Sequence, residues 1–132
     1  MQMIRSFNSV GQGGFYTEHF ANGFKVVYDC GTSSEQIHLI REIDSVFKKN
    51  DTINAVFISH FHEDHISGLE YLLDNFHVEN IFIPLLTEEN KVLTLLKYVS
   101  TGAPNEFSFE FILRPERAIS SKDRILDRHT NI

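Results

Sequence analysis

The chain has 132 residues, of which 42% are hydrophobic, so it can form one domain around a single buried core. One cysteine excludes an internal disulfide, and the chain shows neither a leader sequence nor an apolar run of the ~18 residues that a membrane span needs. We therefore expect a cytoplasmic protein with no membrane contact. The formal net charge of −6 gives no support to nucleic-acid binding unless a local basic site or a bound cation reverses the field.

The N-terminal part predicts a strand and a β-hairpin. The segment from Ile4 to Phe7 is typical of a short strand. Two further strand-like segments, Phe15 to Phe20 and Phe24 to Tyr28, flank Asn22-Gly23, a pair that favours a hairpin turn. The loop Gly11-Gln12-Gly13-Gly14 is rich in glycine, so its backbone can approach a bound group closely. Gly11, Gln12 and Gly13 are therefore candidate residues near a functional site.

Helices and strands are predicted to alternate after the hairpin. Ser33 and Gln36 have the spacing of a helix capping box, and the apolar residues that follow recur with helical periodicity: Ile37, Ile40, Ile43 and Phe47. The run Ala55 to Ile58 then predicts a buried strand. The later elements are a helix with Leu69, Leu72, Leu73 and Phe76, a strand from Ile81 to Ile83, a helix capped by Thr87 with Val92, Leu95, Leu96 and Val99, and a half-buried strand with Phe107, Phe109, Phe111 and Leu113.

The pattern fades beyond Arg114 into a mixed-charge segment from Pro115 to Arg128, where no element is predicted. The fold class that this order predicts is α/β (α+β). Its mixed sheet opens with a hairpin and continues in β/α units.

A dense cluster of metal-binding residue types follows the buried strand at Ile58, in the run His60-Phe61-His62-Glu63-Asp64-His65. The side chains of His60 and His62 leave an extended backbone on the same side, so both can bind one ion. Asp64 and His65 follow as the loop turns and can bind a second ion. Imidazole and carboxylate suit zinc first, while manganese and iron also accept these ligands. A solvated loop or hydrogen-bonded core histidines would be the ordinary alternative, but three histidines packed with an aspartate disfavour it.

The spacing His60-X-His62-X-Asp64-His65 resembles the signature of the metallo-β-lactamase superfamily. The flanking segments Ile58-Ser59 and Ile66-Ser67-Gly68-Leu69 are similar to that family's strand, loop and helix. The sequence Asp29-Cys30-Gly31 resembles the family's first motif, whose aspartate orients the metal loop without binding the ion. The alternative for Asp29 is an ordinary aspartate at the end of a strand.

A second resemblance concerns Val10-Gly11-Gln12-Gly13, which is similar to a loop in the hydrolase domain of DNA-uptake competence proteins. That branch of the superfamily is associated with phosphodiester chemistry. A plain glycine turn is the alternative interpretation of this loop.

The resemblance implies half of an αββα sandwich and a hydrolase that uses metal-activated water. It places His60 and His62 on the first of one or two zinc ions, and Asp64 and His65 on the second. Asp64 is also implied as the catalytic residue that holds the nucleophilic water or accepts its proton. The substrate is unknown, since relatives act on lactams, thioesters, phosphodiesters and nucleic acids.

Later motifs of the family are missing from the chain. His129 is the candidate for the third histidine of the first metal, and no residue supplies the bridging aspartate. We therefore expect residues 1–132 to be a single domain that lacks its C-terminal half, with the sandwich completed by a missing portion or by a homo- or hetero-oligomeric partner. The alternative is a non-catalytic binding or structural module whose terminal segment folds back over the exposed sheet.

Overall fold

The structure is a computed structural model that describes residues 2–100 and 105–132. Helices and strands alternate along most of these residues. In chain order the elements are β1 (Met3–Phe7), β2 (Gly13–Phe20), β3 (Lys25–Thr32), α1 (Gln36–Val46), β4 (Thr52–Ile53), β5 (Ala55–Phe57), α2 (Glu63–Ile66), α3 (Leu69–Asn75), β6 (His77–Val78), β7 (Ile81–Phe82), α4 (Glu88–Ser100), α5 (Glu106–Leu113) and α6 (Pro115–Leu126).

The main sheet has five strands in the order β1-β2-β3-β5-β7. The strands β1, β2 and β3 are antiparallel, whereas β3, β5 and β7 are parallel, so the sheet is mixed. The predicted hairpin is confirmed, and its turn uses Gly23 at a φ of 89°. A second, two-stranded parallel sheet of β4 and β6 was not predicted, because two-residue strands leave no periodicity to detect. The predicted α/β class with a mixed sheet is confirmed.

One face of the main sheet is covered by helices. Thr17, Val27, Val56 and Ile81 lie side by side on four neighbouring strands, and all four are buried. Helices α1, α3, α5 and α6 supply the other half of the core through fully buried residues: Leu39, Ile43, Leu69, Leu72, Phe111 and Ile119. Each such side chain contributes about 1.5–3 kcal/mol by leaving water. This core holds the carboxyl ends of the parallel strands in place.

The opposite face carries an aromatic row, which we define as Phe7, Tyr16, Tyr28, Phe57 and Phe82. Each of the five strands contributes one member, and neighbouring members are direct cross-strand partners. Phe7 is 88% exposed and Phe82 is 50% exposed. No helix of the described residues covers this row.

The prediction of a strand around Phe107 to Leu113 is wrong, because the segment forms α5. Its buried residues are Phe107, Ser108, Phe111 and Ile112, which share one side of a helix rather than one side of a strand. The Asn105 side chain caps the helix by accepting a hydrogen bond from the Ser108 amide at 3.2 Å. The alternation of phenylalanine with polar residues therefore suggested the two-residue period of a strand, although the segment is a helix.

The segment after Arg114, for which no element was predicted, forms α6. Pro115 begins this helix at a position where its missing N–H costs nothing, and Ala118 and Ile119 pack into the core. The chain then folds back, since Asn131 pairs with Asn80 beside β7. Helix α6 therefore packs on the helical side of the sheet, whereas Asn131 extends the sheet edge beside β7.

Two helices differ from their predictions in detail. The capping box at Ser33 is absent, because the Gln36 side chain instead donates to the Thr32 carbonyl and to the Ser67 hydroxyl. Thr87 caps α4 as expected, with its hydroxyl accepting from the Asn90 amide at 3.1 Å. However, three members of the predicted apolar stripe of α4 point to solvent: Val92, Leu96 and Val99. Within the described ranges, no helix is long and apolar enough to cross a bilayer.

Candidate metal centre

Asp29 lies at the centre of a hydrogen-bond network at the carboxyl end of β3. Its φ of 57° places it in the left-handed region, which aspartate tolerates better than most residues. The Ser59 amide donates to one carboxylate oxygen at 2.7 Å, and the Ser59 hydroxyl donates to the other at 2.5 Å. The carboxylate is therefore fixed against the loop that follows β5.

The same carboxylate orients His65. The Asp29 Oδ2 atom lies 3.0 Å from His65 Nδ1, and both side chains are mostly buried. An ionised carboxylate can only accept hydrogen bonds, so this contact favours the neutral imidazole tautomer with its proton on Nδ1 and its lone pair on Nε2. This is the arrangement in which an outer carboxylate prepares an imidazole to bind an ion. The role of Asp29 in orienting the metal loop stays a prediction, and the structure places its carboxylate against His65.

The structure brings the three histidines of the cluster together. The ring centroids of His60 and His65 are 4.1 Å apart, and those of His60 and His62 are 5.5 Å apart. His62 precedes the first turn of α2, which contains Glu63 and Asp64. The Asp64 Oδ2 atom lies 3.6 Å from His65 Nε2. The four proposed ligands thus share one short segment at the carboxyl end of β5, although its helical turn was expected to be a loop.

Glycines allow α2 to lie directly on β3. A Cβ atom at Gly31 would stand 2.6 Å from the His65 amide nitrogen and 2.7 Å from backbone atoms of Asp64 and Glu63. At Gly68, a Cβ atom would stand 2.7 Å from the Cys30 sulfur. Neither contact was predicted, because each joins segments more than 30 residues apart in the sequence. Only glycine fits these positions without displacing residues 60–66, which we define as the metal-binding turn because they carry the proposed ligands.

The glycine loop of residues 11–14 lies beside this network. Gly11 has a φ of 79°, and the Gln12 carbonyl accepts a hydrogen bond from the Ser33 amide at 2.7 Å. Gly13 pairs with Thr32 at the end of β3. Within this loop, the glycine nearest a histidine ring is Gly14, whose Cβ would stand 3.3 Å from His65 Nδ1. The loop expected near the site is therefore adjacent to it, with its closest contact one residue later.

An open cavity of about 400 Å³ adjoins the cluster. One wall comes from the metal-binding turn and the other from α4; the lining residues are Ser33, Phe61, His62, Glu63, Asp64, Thr94, Lys97 and Tyr98. This volume lies in the range of small-molecule sites. Lys97 lines the same cavity as Glu63 and Asp64, a feature that sequence spacing did not indicate.

His129 is not brought to the cluster. Its Nε2 atom lies 3.0 Å from the Asn131 side chain, and it lines a separate surface hollow with His77 and Glu79. This hollow lies beside Asn80, at the amino ends of the parallel strands, whereas the cluster lies at their carboxyl ends. The position of His129 therefore gives no support to its candidate role as a third histidine ligand.

The donor set fits a divalent ion in its chemistry. Three imidazoles and a carboxylate are close together, and the His65 lone pair is free to bind. In residues 2–100 and 105–132, no group of three or more histidine, cysteine, aspartate or glutamate side chains is already arranged to hold an ion. His60 and His62 are exposed at the surface, so side-chain rotation can bring their nitrogens together.

Comparison with known proteins finds two relatives of this chain. The Anti-Pycsar protein Apyc1 of Bacillus phage 010DV004 is 28% identical over 106 residues, which cover 72% of this chain and 39% of the phage protein. Ribonuclease J of Mycoplasma genitalium is 31% identical over 96 residues, which cover 62% of this chain and 17% of that enzyme. The chain thus spans less than half the length of either relative.

A solved structure with a related fold is the metallo-beta-lactamase fold protein YhfI from Bacillus subtilis. It is 16% identical, with a TM-score of 0.45, and the match covers 73% of this chain and 40% of that protein. The family model of the metallo-beta-lactamase superfamily matches residues 18–113, which include β3, the histidine cluster and α5. This chain therefore belongs to the metallo-beta-lactamase superfamily.

Proposed function

We propose that the chain carries the metal site of a hydrolase, with His60, His62, Asp64 and His65 as its ligands. The superfamily generally binds metal ions, often zinc. The observation that carries the proposal is the 3.0 Å contact between Asp29 and His65, which leaves the His65 Nε2 lone pair for an ion beside an open cavity. One or two zinc ions suit these ligands best, and manganese or iron would be accepted.

The bound ion would supply Lewis acidity. It would also lower the pKa of a water molecule bound to it, so that hydroxide would be available near neutral pH. The residues of the chain have separate roles around it. Asp29 and Ser59 hold His65 in one orientation, and the Asp64 carboxylate would hold the nucleophilic water or accept its proton. Lys97 and Thr94 line the same cavity as this carboxylate and would hold an anionic part of the substrate.

A phosphodiester, including one in a nucleic acid, is the substrate class that we favour. One relative is named as a ribonuclease, and the Lys97 ammonium can balance the charge of a phosphate at the cavity. The net charge of −6 argues against broad binding of nucleic acid, so recognition would be confined to this site. The similarity of the glycine loop to that of DNA-uptake hydrolases is consistent with this choice.

The first experiment measures bound metal by elemental analysis in the wild type and in a His60→Ala, His62→Ala double variant. A His77→Ala, His129→Ala double variant is the matched control, because it removes two histidines from the opposite edge. We expect near-stoichiometric zinc or manganese in the wild type and the control, and its loss in the first variant. Equal metal content in all three proteins would contradict the proposed site.

The substrate class is tested by hydrolysis of bis(p-nitrophenyl) phosphate and of neutral p-nitrophenyl acetate. Lys97→Ala should raise KM for the phosphodiester roughly tenfold, leave kcat and the neutral ester unchanged, and be rescued by Lys97→Arg. Equal effects on both substrates would contradict the role proposed for Lys97.

A non-catalytic metal-binding module is the second candidate. The side chains of the described residues are not already arranged around an ion. This candidate predicts bound metal without hydrolysis of either ester, which distinguishes it from the first.

A further inference from the structure

The end of β3 is hydrogen-bonded to the segment that carries the histidine cluster. Strand β5 pairs with β3 as far as Tyr28, and residues 29–32 continue beside the metal-binding turn. Cys30 and Thr32 are fully buried, so the backbone groups that they direct at this segment need partners there. The Gly68 amide supplies one partner by donating to the Cys30 carbonyl at 2.8 Å.

The hydroxyl of Ser67 bonds both backbone groups of Thr32. The Thr32 amide donates to Ser67 Oγ at 2.9 Å, and Ser67 Oγ donates to the Thr32 carbonyl at 3.1 Å. The Gln36 side chain donates to the same hydroxyl oxygen at 3.1 Å. A hydroxyl has one donor and two acceptor sites, so all three sites are used. Ser67 thus takes the place of a neighbouring strand at Thr32.

Ser67 and Asp29 attach the metal-binding turn to β3 at the two ends of the turn. Asp29 is bonded to Ser59, which directly precedes the turn, and Ser67 directly follows it. His65 lies between these two attachments. Gly31 allows the two backbones to touch there, because it has no Cβ to hold the turn away. The position of His65 relative to Asp29 therefore depends on both attachments.

The contact between Asp29 and His65 is sensitive to small movements of the turn. Its length is 3.0 Å, and N–H···O hydrogen bonds fall in a range of roughly 2.7–3.2 Å, so a shift of a few tenths of an ångström breaks it. Without the Ser67 hydroxyl, the buried amide of Thr32 would need a new acceptor. Water that entered to satisfy it would separate the turn from β3.

We propose that Ser67 is a positioning residue, which fixes His65 against Asp29 by holding the metal-binding turn on β3. The inference rests on the proposed function, because it takes His65 as a metal ligand. Ser67 acts through His65, since all three bonding sites of its hydroxyl are already used by the chain. Thr32 extends the same network to the glycine loop, where its own hydroxyl donates to the Val10 carbonyl at 2.6 Å.

Ser67→Ala tests the proposal in two measurements. In the metal-free protein, long-range proton–nitrogen-15 correlation spectra above about pH 8, where the ring is neutral, show which nitrogen of His65 carries the proton. Wild type should favour Nδ1, whereas Ser67→Ala should give a mixture of both tautomers, because the ring is no longer held against Asp29. Zinc affinity should fall about tenfold, as when other groups that orient a ligand are removed.

Thr130→Val is the matched control, because it also removes a buried hydroxyl. That hydroxyl donates to the Val78 carbonyl at 2.9 Å and has no bond to the metal-binding turn. The control should lower the free energy of unfolding but leave the His65 tautomer and the zinc affinity as they are in the wild type. A role of Ser67 in stability alone would not separate these readouts.

Two further variants complete the test. Ser67→Thr keeps the hydroxyl and should restore the wild-type tautomer and zinc affinity. Gln36→Ala removes one donor to Ser67 from an exposed position, so the chain should remain folded. It should change both readouts in the same direction as Ser67→Ala but by less, about twofold in zinc affinity. Circular dichroism verifies that each variant is folded.

Two results would overturn the inference. One is an unchanged His65 tautomer in folded Ser67→Ala, or in Gln36→Ala should Ser67→Ala not fold. The other is a zinc affinity that falls as much in Thr130→Val as in Ser67→Ala, because the loss would then follow stability alone. A wild type that binds no zinc would contradict the proposed function. The tautomer of the metal-free protein would still test the role of Ser67, so the two failures are distinguishable.

Discussion

Histidines and carboxylates occur at both ends of the parallel strands, but the two ends hold them differently. At the carboxyl ends, His65 is bonded to Asp29, which Ser59 fixes in turn. At the amino ends, His129 is exposed and contacts Asn131, two residues away. The difference teaches that residue types alone do not make a metal site. A mostly buried carboxylate and a close approach of two backbones prepare the first group, whereas nothing prepares the second.

The largest expected effect comes from Gly31→Ala, which would place a methyl group within 2.7 Å of three backbone positions in α2. Backbone atoms cannot rotate away as side chains do, so we expect a loss of about 1–3 kcal/mol in the free energy of unfolding. Metal affinity should fall at least roughly 100-fold as the turn is displaced. Urea denaturation and zinc titration measure the two effects. Gly14→Ala is the control, because its new Cβ meets side-chain atoms at 3.3 Å, and an equal loss in both variants would contradict the argument.

Asp29→Asn tests the orienting carboxylate with little change in shape. The amide lacks the negative charge that favours a protonated His65 Nδ1, so zinc affinity should fall about 10- to 100-fold. Competition with a chelating indicator measures this change. Affinity within a factor of two of the wild type would show that the contact between Asp29 and His65 does not prepare the ligand.

Ser59→Ala should have a smaller effect in the same direction. The carboxylate loses one hydroxyl donor but keeps the Ser59 amide, so we expect a loss of about 1 kcal/mol, or roughly fivefold in zinc affinity. Because Ser59 acts through Asp29, its removal in the Asp29→Asn background should cost less than it does alone. If the losses in zinc affinity were additive in this double-mutant cycle, Ser59 and Asp29 would act independently, which would contradict the argument.

The smallest effect on zinc affinity is expected when the histidines at the amino ends of the strands are replaced. Loss of both His77 and His129 should leave zinc affinity unchanged, since neither side chain reaches the cluster. Isothermal titration of the double variant with zinc checks this expectation. If zinc affinity fell as much as in Asp29→Asn, a metal ligand would lie at the amino ends of the strands. That result would contradict the difference drawn between the two ends.

Local signals in the sequence predicted much of the fold. The hairpin follows from Asn22-Gly23, and the buried strand β5 follows from a continuous apolar run. The interpretation of Phe107 to Leu113 as a strand failed because alternating phenylalanines also place two rings four residues apart, on one side of a helix. Helix α6 was missed because only Ala118 and Ile119 of that helix are buried, too few to mark a period.

The candidate site was predictable where its residues are contiguous. His60, His62 and His65 occur within one short run, and the structure brings them together. The contributions of Ser59, Gly31 and Lys97 depend on contacts across distant segments, and no local pattern marks them. His129 shows the converse: a suitable residue type at a suitable separation in sequence lies at the other edge of the sheet.

The reactivity of Cys30 can report on the packing between β3 and the metal-binding turn. Its thiol is fully buried between β3 and the start of α3, and burial, followed by the nearby Asp29 charge, raises its pKa far above the ordinary value. A thiol in this state does not react with alkylating reagents while the native packing is intact. Its alkylation rate under native conditions therefore measures how often β3 and the metal-binding turn separate. Zinc should slow that rate if the ion holds the turn closed.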